Sequence, residues 1–551
     1  MPSEIMTKER SLKITYSLAE LPSSQHRAGL VGLILLAKDI EKSSTGRIKI
    51  LDLDDDGVEI EFDEKGLEEL LNEVYAATEE LEERTKKIPK AKLVKTEKRV
   101  EIDPKTKKEK KTTAYFYNNI VPRGEYLDRF DRSQEKIWMK LWRNMLWQIM
   151  RGRPATRKRF EERAKGNGSK DVRLIWDQLS KKLDTPVKLT STYFLGAQET
   201  NAEGVPFKDL ARFQFLLHFW TFVAQVYIPV RVDKDGKRAF DGYCIAIPDV
   251  AALETFCSDY PRILEDRSNE PSGYRPKDSL IDIPEEAGLD IFRRLTESIR
   301  AAEGRLETSD LVFGVDIFHA RKDGKNVCIL YCNRIEPLSS RDREYERIRS
   351  QLKNHIFRHQ RLMNLVKGND WYEGFDRLLC TIPPAHAFFS PFFSRDARVC
   401  FEIQANRGEK EMRTTETESE TRAVFEEAII LKIIDEYLRE KLRDKYNLTW
   451  KKIEETKSNE KLYNLRKMEY GDKKDALVKE AFYAIRSRTG EDFINYFAST
   501  ICSVPHWLSE GEYMKLTKAL YQDTDRIRTL SMLALSTKGT RSEYKEKKDN
   551  E

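Results

Sequence analysis

Arg151, Arg153, Arg157, Lys158 and Arg159 place five cations within nine residues, around Gly152 and Pro154. Guanidinium forks match phosphate oxygens and guanine edges, so this spacing points to an anion grip. Pro154 cannot donate a backbone hydrogen bond and restricts its predecessor, which predicts a loop. The text just upstream is different. Trp138, Leu141, Trp142, Met145 and Ile149 recur at helical spacing, which predicts a core helix that scaffolds the loop.

A second cationic stretch runs from Lys86 to Lys111, with 12 Lys or Arg against four acids. It reads as two strands joined at Asp103-Pro104-Lys105. A lysine-rich hairpin can follow a duplex and release counterions, giving sequence-independent affinity. Lysines also guard exposed strand edges against aggregation, which is the bland alternative. The candidate DNA contacts are therefore Lys92, Lys95, Lys98, Arg99, Lys105, Lys107, Lys108, Lys110 and Lys111, with Arg151, Arg153, Arg157, Lys158 and Arg159. Asn118, Asn119 and Arg123, at the end of the hairpin, have base-edge chemistry or simply make a turn.

Catalytic patterns are missing. The sequence holds no GxxxxGK[ST], GxSxG or HExxH, so no catalytic residue, metal or cofactor is expected. Asp52, Asp54, Asp56 and Gly57 imitate the start of a calcium loop, but strand-like flanks and Glu59 at the hydrophobic position favour a hairpin turn. His355 and His359 are one helical turn apart; with Tyr345, Ile348, Leu352, Ile356, Met363 and Val366 in the same seam, packing is expected rather than metal binding. That helix also carries Arg341, Arg343, Arg347, Arg349, Lys353, Arg358 and Arg361, a solvated or phosphate-tracking face. Seven scattered Cys with no CxxC suggest a reducing compartment without disulfides or a zinc site. Cys328 and Cys332 share a strand face and read as small buried hydrophobes.

The elements that would position these residues imply two to four domains for 551 residues. No apolar run approaches the eighteen residues of a membrane span; Ala28–Ala37 is the longest candidate. A strand at SLKITYSL leads into a helix capped by Ser23 or Ser24, with Gly29 and Gly32 permitting close packing. A hairpin turns at Asp55-Asp56-Gly57. Helices are expected over Gly66–Lys87, Phe207–Ile228 and Arg341–Lys367, with further hairpins at Asp235-Gly236 and Asp323-Gly324. After residue 405 strand signals vanish. The expected fold class is α+β: a mixed α/β body with several β-hairpins over residues 1–405, a charged linker at 406–421, an all-α bundle at 422–540 and a flexible tail at 541–551.

Several whole phrases carry a resemblance: LPSSQHRAGLVGLILL, LWRNMLWQIMRGRPATRKRF, FDGYCIAIPDVAALETFCSDYPRIL and CILYCNRIEP. They resemble the large subunit of type I CRISPR surveillance complexes (Cascade), most like the Myxococcus-type (MYXAN) branch, over most of residues 10–410. The C-terminal region is similar only in being helical. The resemblance implies a non-catalytic, cytoplasmic, prokaryotic subunit near the 5′ handle of a guide RNA. Such a subunit recognises the short PAM in target double-stranded DNA, helps open the duplex and steadies the displaced strand. Its implied partners are the Cascade backbone subunits, a small helical subunit and a recruited helicase-nuclease. Met412 follows Arg-Gly-Glu-Lys-Glu, whose codons are purine-rich, so it is either an internal start for that small subunit or an ordinary linker methionine. Two other classes stay open: a nucleic-acid-processing enzyme with a dispersed carboxylate site, and a ribonucleoprotein scaffold that reads no DNA.

Overall fold

The structure is a computed structural model that describes residues 11–43, 46–88, 93–102, 109–151, 157–189, 193–196, 203–232, 238–301, 307–324, 326–387, 390–414, 426–503 and 508–539. It divides into two units, Met1–Asp342 and Arg343–Glu551. The division lies inside the helix Ser339–Gln351, well before the expected boundary at residue 405.

The first unit begins with a three-stranded antiparallel sheet in the order β1 (Leu12–Ser17), β3 (Gly57–Phe62), β2 (Ile48–Leu53). Alternation sets its faces: Val58, Ile60 and Phe62 are buried while Glu59 and Glu61 point outward. The helix Ser24–Ser43 runs through the core, with Leu30, Val31, Leu33, Ile34, Leu36 and Ala37 fully buried. Its two glycines explain how it gets so close. A Cβ on Gly29 would lie 2.3 Å from the Leu216 carbonyl oxygen, and one on Gly32 2.5 Å from that of Phe219.

The helix Glu64–Tyr75, capped by the Asp63 carboxylate on the Gly66 N–H, stops before β4 (Ala77–Arg84). The expected helix to Lys87 is therefore corrected. Glutamates favour helix locally, but β4 pairs antiparallel along β6 (Glu109–Pro122), and that ladder overrides propensity. The hairpin partner, β5 (Leu93–Ile102), lies on β6's other side, giving the order β4-β6-β5.

The segment expected as one helix over Phe207–Ile228 is also corrected. A short ladder joins β7 (Pro186–Lys188) to β8 (Lys208–Leu210). The helix Ala211–Leu216 and a single turn at Trp220–Phe222 follow, and then β9 (Gln225–Val232). A segment apolar on every side gives periodicity no face to report. The Val-Tyr-Ile-Pro-Val run instead enters a mixed sheet with β10 (Arg238–Phe240) and β11 (Tyr243–Val250). A small ladder, β12 (Pro271–Ser272) with β13 (Arg275–Pro276), precedes β14 (Leu280–Ile281), which pairs parallel with β9. The sheet continues from β11 to β15 (Val312–Asp323) and ends at β16 (Asn326–Ile335). The turn expected at Asp323-Gly324 joins β15 to β16, with Gly324 at φ +57°.

The second unit is helical, with no strand among its described residues. The helix Thr524–Ser536 lies at its centre, with every residue from Ile527 to Ser536 buried, as an element apolar on most sides requires. Ile429, Ile430, Ile433 and Ile434 of Glu426–Tyr446 and Leu477, Val478, Phe482 and Ile485 of Glu460–Arg486 complete that core. The expected single helix Arg341–Lys367 is two, Ser339–Gln351 and His355–Lys367. Asn354 caps the second, accepting from the Phe357 N–H, and the Asp396 carboxylate accepts from the N–H groups of Lys353 and Asn354. The break resets the phase. Phe357, Arg361, Leu362 and Asn364 turn inward and His359 is exposed, so the expected seam through Ile356, His359 and Met363 is corrected. The expected linker also begins as helix: Pro391–Thr414 continues through residue 412, and 415–425 lie outside the described residues.

Candidate nucleic-acid interface

The Trp-rich scaffold forms as its spacing demands. Helix Ile137–Met145 and one wide turn, Leu146–Met150, bury Trp138, Leu141, Trp142, Met145 and Ile149. Each indole N–H donates to a backbone carbonyl: Trp138 to Ser268 at 2.9 Å, Trp142 to Thr221 at 2.9 Å and Trp147 to Ile120 at 3.1 Å. These rings are framework, not base-stacking surfaces.

The cations after them do not form one outward cluster. Arg151 is buried, with its guanidinium 4.9 Å from the Tyr193 ring centroid. Arg157 donates through Nε to the Arg151 carbonyl at 2.8 Å and through Nη2 to the Trp147 carbonyl at 3.1 Å, over the Trp147 ring. It closes the loop onto its scaffold, and burial pulls its pKa down. Arg159 lies between Tyr75 and Tyr193, 5.2 and 5.3 Å from their centroids. Arg151, Arg157 and Arg159 pack against aromatic rings, as guanidinium groups do at low hydration cost. Lys158 is exposed, with Glu162 3.7 Å away. Arg153 lies outside the described residues.

The basic hairpin is tempered by its neighbour. Acidic β4 brings Glu79, Glu80, Glu82 and Glu83 alongside β6. Arg99 bonds Glu83 at 3.1 Å and Glu97 at 2.7 Å, and Lys95 pairs with Glu97. Those two cations hold the Glu97 carboxylate below its usual range. Lys95 and Arg99 also flank the Phe116 ring, at 5.9 and 5.8 Å. Lys98 sits one residue out of phase with them and is exposed. Lys110 and Lys111 belong to β6. Lys92, Lys105, Lys107 and Lys108 lie outside the described residues. At the far end of β6, Asn118 donates to Glu79 at 2.7 Å, Asn119 faces Glu80 across the ladder, and the Arg123 side chain is exposed.

Other expected features resolve simply. The Asp54 carboxylate accepts from the N–H groups of Asp56 and Gly57, and Asp55 from the backbone and hydroxyl of Thr255. The acidic run is a hairpin turn. No group of three or more His, Cys, Asp or Glu among the described residues could hold a metal ion. The seven cysteines are free. Cys332 is exposed and Cys328 half-buried, which corrects their expected burial: β16 is the sheet's edge strand. No helix among the described residues is long and apolar enough to cross a membrane.

Sequence reading missed a surface in the second unit. Trp450 is 44% exposed and packs edge-on to Tyr470 at 5.5 Å. Lys473 lies 4.9 Å from the Tyr446 ring and Lys467 6.0 Å from that of Tyr463. Leu465 and Met468 of the same helix are largely exposed. Lysines interleaved with aromatic and apolar groups suit a single strand, whose bases stack while its phosphates find cations. The signal was present in WKK and KLYNLRKMEYGDKK, but helical periodicity drew the attention instead.

The comparisons divide the chain in two, earlier than the contact boundary at 342–343. Residues 48–305 match the type I-B CRISPR Cas8b N-terminal domain, and residues 312–538 match the type I-B CRISPR Cas8b C-terminal domain. The chain belongs to the Cas8b family. It is thus a type I CRISPR large subunit. The Cas8b N-terminal match contains both cationic stretches and the Trp scaffold; the C-terminal match contains the Lys–aromatic surface. No curated protein matches the chain.

Proposed function

We propose that this large subunit is the non-catalytic DNA reader of an RNA-guided effector complex. The two-domain family match carries the reading, and the arrangement of charge supports it. Base pairing to a guide reads the target, so the protein needs only backbone charge and a short flanking contact. The hairpin lysines, with Lys158, contact duplex phosphates. Asn118, Asn119 and Arg123 read the PAM, beside carboxylates that discourage a phosphate there. The Lys–aromatic surface around Trp450 holds the displaced strand of the R-loop. The chain works in the prokaryotic cytoplasm with guide RNA at its 5′ handle, Cascade backbone subunits and a recruited helicase-nuclease. The phrases quoted above support the Myxococcus-type branch.

A small helical subunit starting at Met412 also fits this reading. Helices Glu426–Tyr446, Glu460–Arg486 and Thr524–Ser536, which share the bundle core, all lie downstream of it. A polypeptide beginning at Met412 in the purified complex, lost in Met412→Leu, is the expected result.

The test of DNA reading compares co-expressed complexes carrying wild type or Lys105→Ala/Lys107→Ala/Lys108→Ala. The variant is expected to bind all target duplexes more weakly, with a salt slope shallower by about 2.7 if three phosphates are lost. Unchanged affinity and slope would remove the hairpin from the interface.

A further inference from the structure

A cavity of about 230 Å³ opens in the first unit between the helices Ser169–Lys182 and Ala211–Leu216. Its walls are apolar, from Leu174, Ile175, Leu179 and Phe215, and its polar groups converge from three sides. Arg159 enters at one end. Its Nη1 is buried with no hydrogen-bond partner among the described residues. Its carboxylate, Asp171 at 3.6 Å, is already held by two nitrogens of Arg163 at 3.0 and 3.1 Å. Burying a guanidinium N–H without an acceptor is costly, so the site asks for an anion.

Two primary amides line the same space. Gln178 is half-buried on the helix Ser169–Lys182, along one wall. Gln214 spends one N–H on the Lys188 carbonyl at 2.6 Å and keeps its carbonyl oxygen. An amide offers a donor beside an acceptor, the pattern a nucleobase edge presents and a carboxylate or a phenyl ring does not. His218 completes the wall, its Nδ1 2.6 Å from the Tyr75 hydroxyl. Burial, reinforced by Arg159, Arg151 and Arg163, lowers its pKa well below the usual value, so it is neutral and adds no competing charge. The volume lies below the roughly 300–1,000 Å³ of drug-sized sites, which limits the occupant to a single small unit.

We propose that this cavity binds a single nucleoside 5′-monophosphate unit, its phosphate on Arg159 and its base edge on Gln178 and Gln214. The unit is either a free nucleotide or one turned out of a bound strand. The site needs only the first unit and does not depend on PAM reading.

Calorimetry on the full-length protein tests it, using the four nucleoside 5′-monophosphates, inorganic phosphate and a short single strand as probes. Two variants spare the fold: Gln178→Ala removes a half-buried amide, and Leu174→Trp crowds the mouth from a position 60% exposed. For a free nucleotide, a monophosphate binds at least tenfold more tightly than phosphate, and both variants weaken it at least tenfold. For a strand-borne one, both variants weaken the strand by that factor while monophosphates do not bind. If neither probe binds wild type, or both variants keep wild-type affinity, the site is refuted. Flank discrimination by the whole complex is read separately, so either result can fail without the other.

Discussion

At Gly32, one hydrogen atom decides how close a helix can come. A methyl there would meet the Phe219 carbonyl oxygen at 2.5 Å, and backbone cannot step aside as a side-chain tip can. Gly32→Ala should cost about 1–3 kcal/mol, typical of overpacking, read as a lower first transition in calorimetry. Asp396 shows a different economy. Its fully buried carboxyl is pushed up to about 6 by desolvation, against the opposing pull of the Asn354 and Lys353 N–H groups and of Arg395. A folded pKa above the unfolded value near 3.9 means stability that is complete below about pH 4 and lost as pH rises through 6. Asp396→Asn keeps an acceptor without the charge. Relative to wild type, it should gain up to about 3 kcal/mol between pH 4 and pH 7, measured as urea midpoints at both pH values. An unchanging difference would mean that Asp396 does not titrate there. Gly32 was legible in the sequence, because a glycine pair inside an apolar helix has few other uses. Asp396 was not, since its partners lie more than 40 residues away.

Elements were legible where pattern and packing agree. The Trp helix has one apolar face and found one core. β3 alternates and so buries alternate residues. Misreadings share a cause: the deciding contact is distant in sequence. β4 is rich in glutamate and would be helical alone, but β6 recruits it. The Phe207–Ile228 stretch is apolar all round, so only its neighbours choose its form. The cationic loop is a different case. Composition counts charges but cannot see that Arg157 and Arg159 lie over aromatic rings. The Lys–aromatic surface gives the prediction at this scale. Trp450→Ala should weaken single-strand binding by about 1–3 kcal/mol, the worth of one stacked base. Lys467→Glu/Lys473→Glu should weaken it too and make its salt slope shallower by at least about 1.4. Filter binding across salt concentrations checks both, and unaltered binding would leave that helix face without a nucleic-acid role.

The whole molecule joins a mixed α/β unit to a helical one; the family matches break earlier, at 305–312, so that β15 and β16 fall within the C-terminal match although they belong to the first unit. The class was legible because α+β text gives way to purely helical text along the chain. The contact boundary at 342–343 precedes residue 405 because the helices from Arg343 onward pack with the second unit. Function at this scale rests on whether the subunit reads the base pairs beside the target. The most direct measurement is the affinity of the assembled complex for target duplexes that differ only in those few pairs, with wild type and with Asn118→Ala/Asn119→Ala/Arg123→Ala. Wild type should prefer some flanks and the variant should bind all of them alike. Equal binding of every flank by wild type, or undiminished preference in the variant, would contradict that assignment.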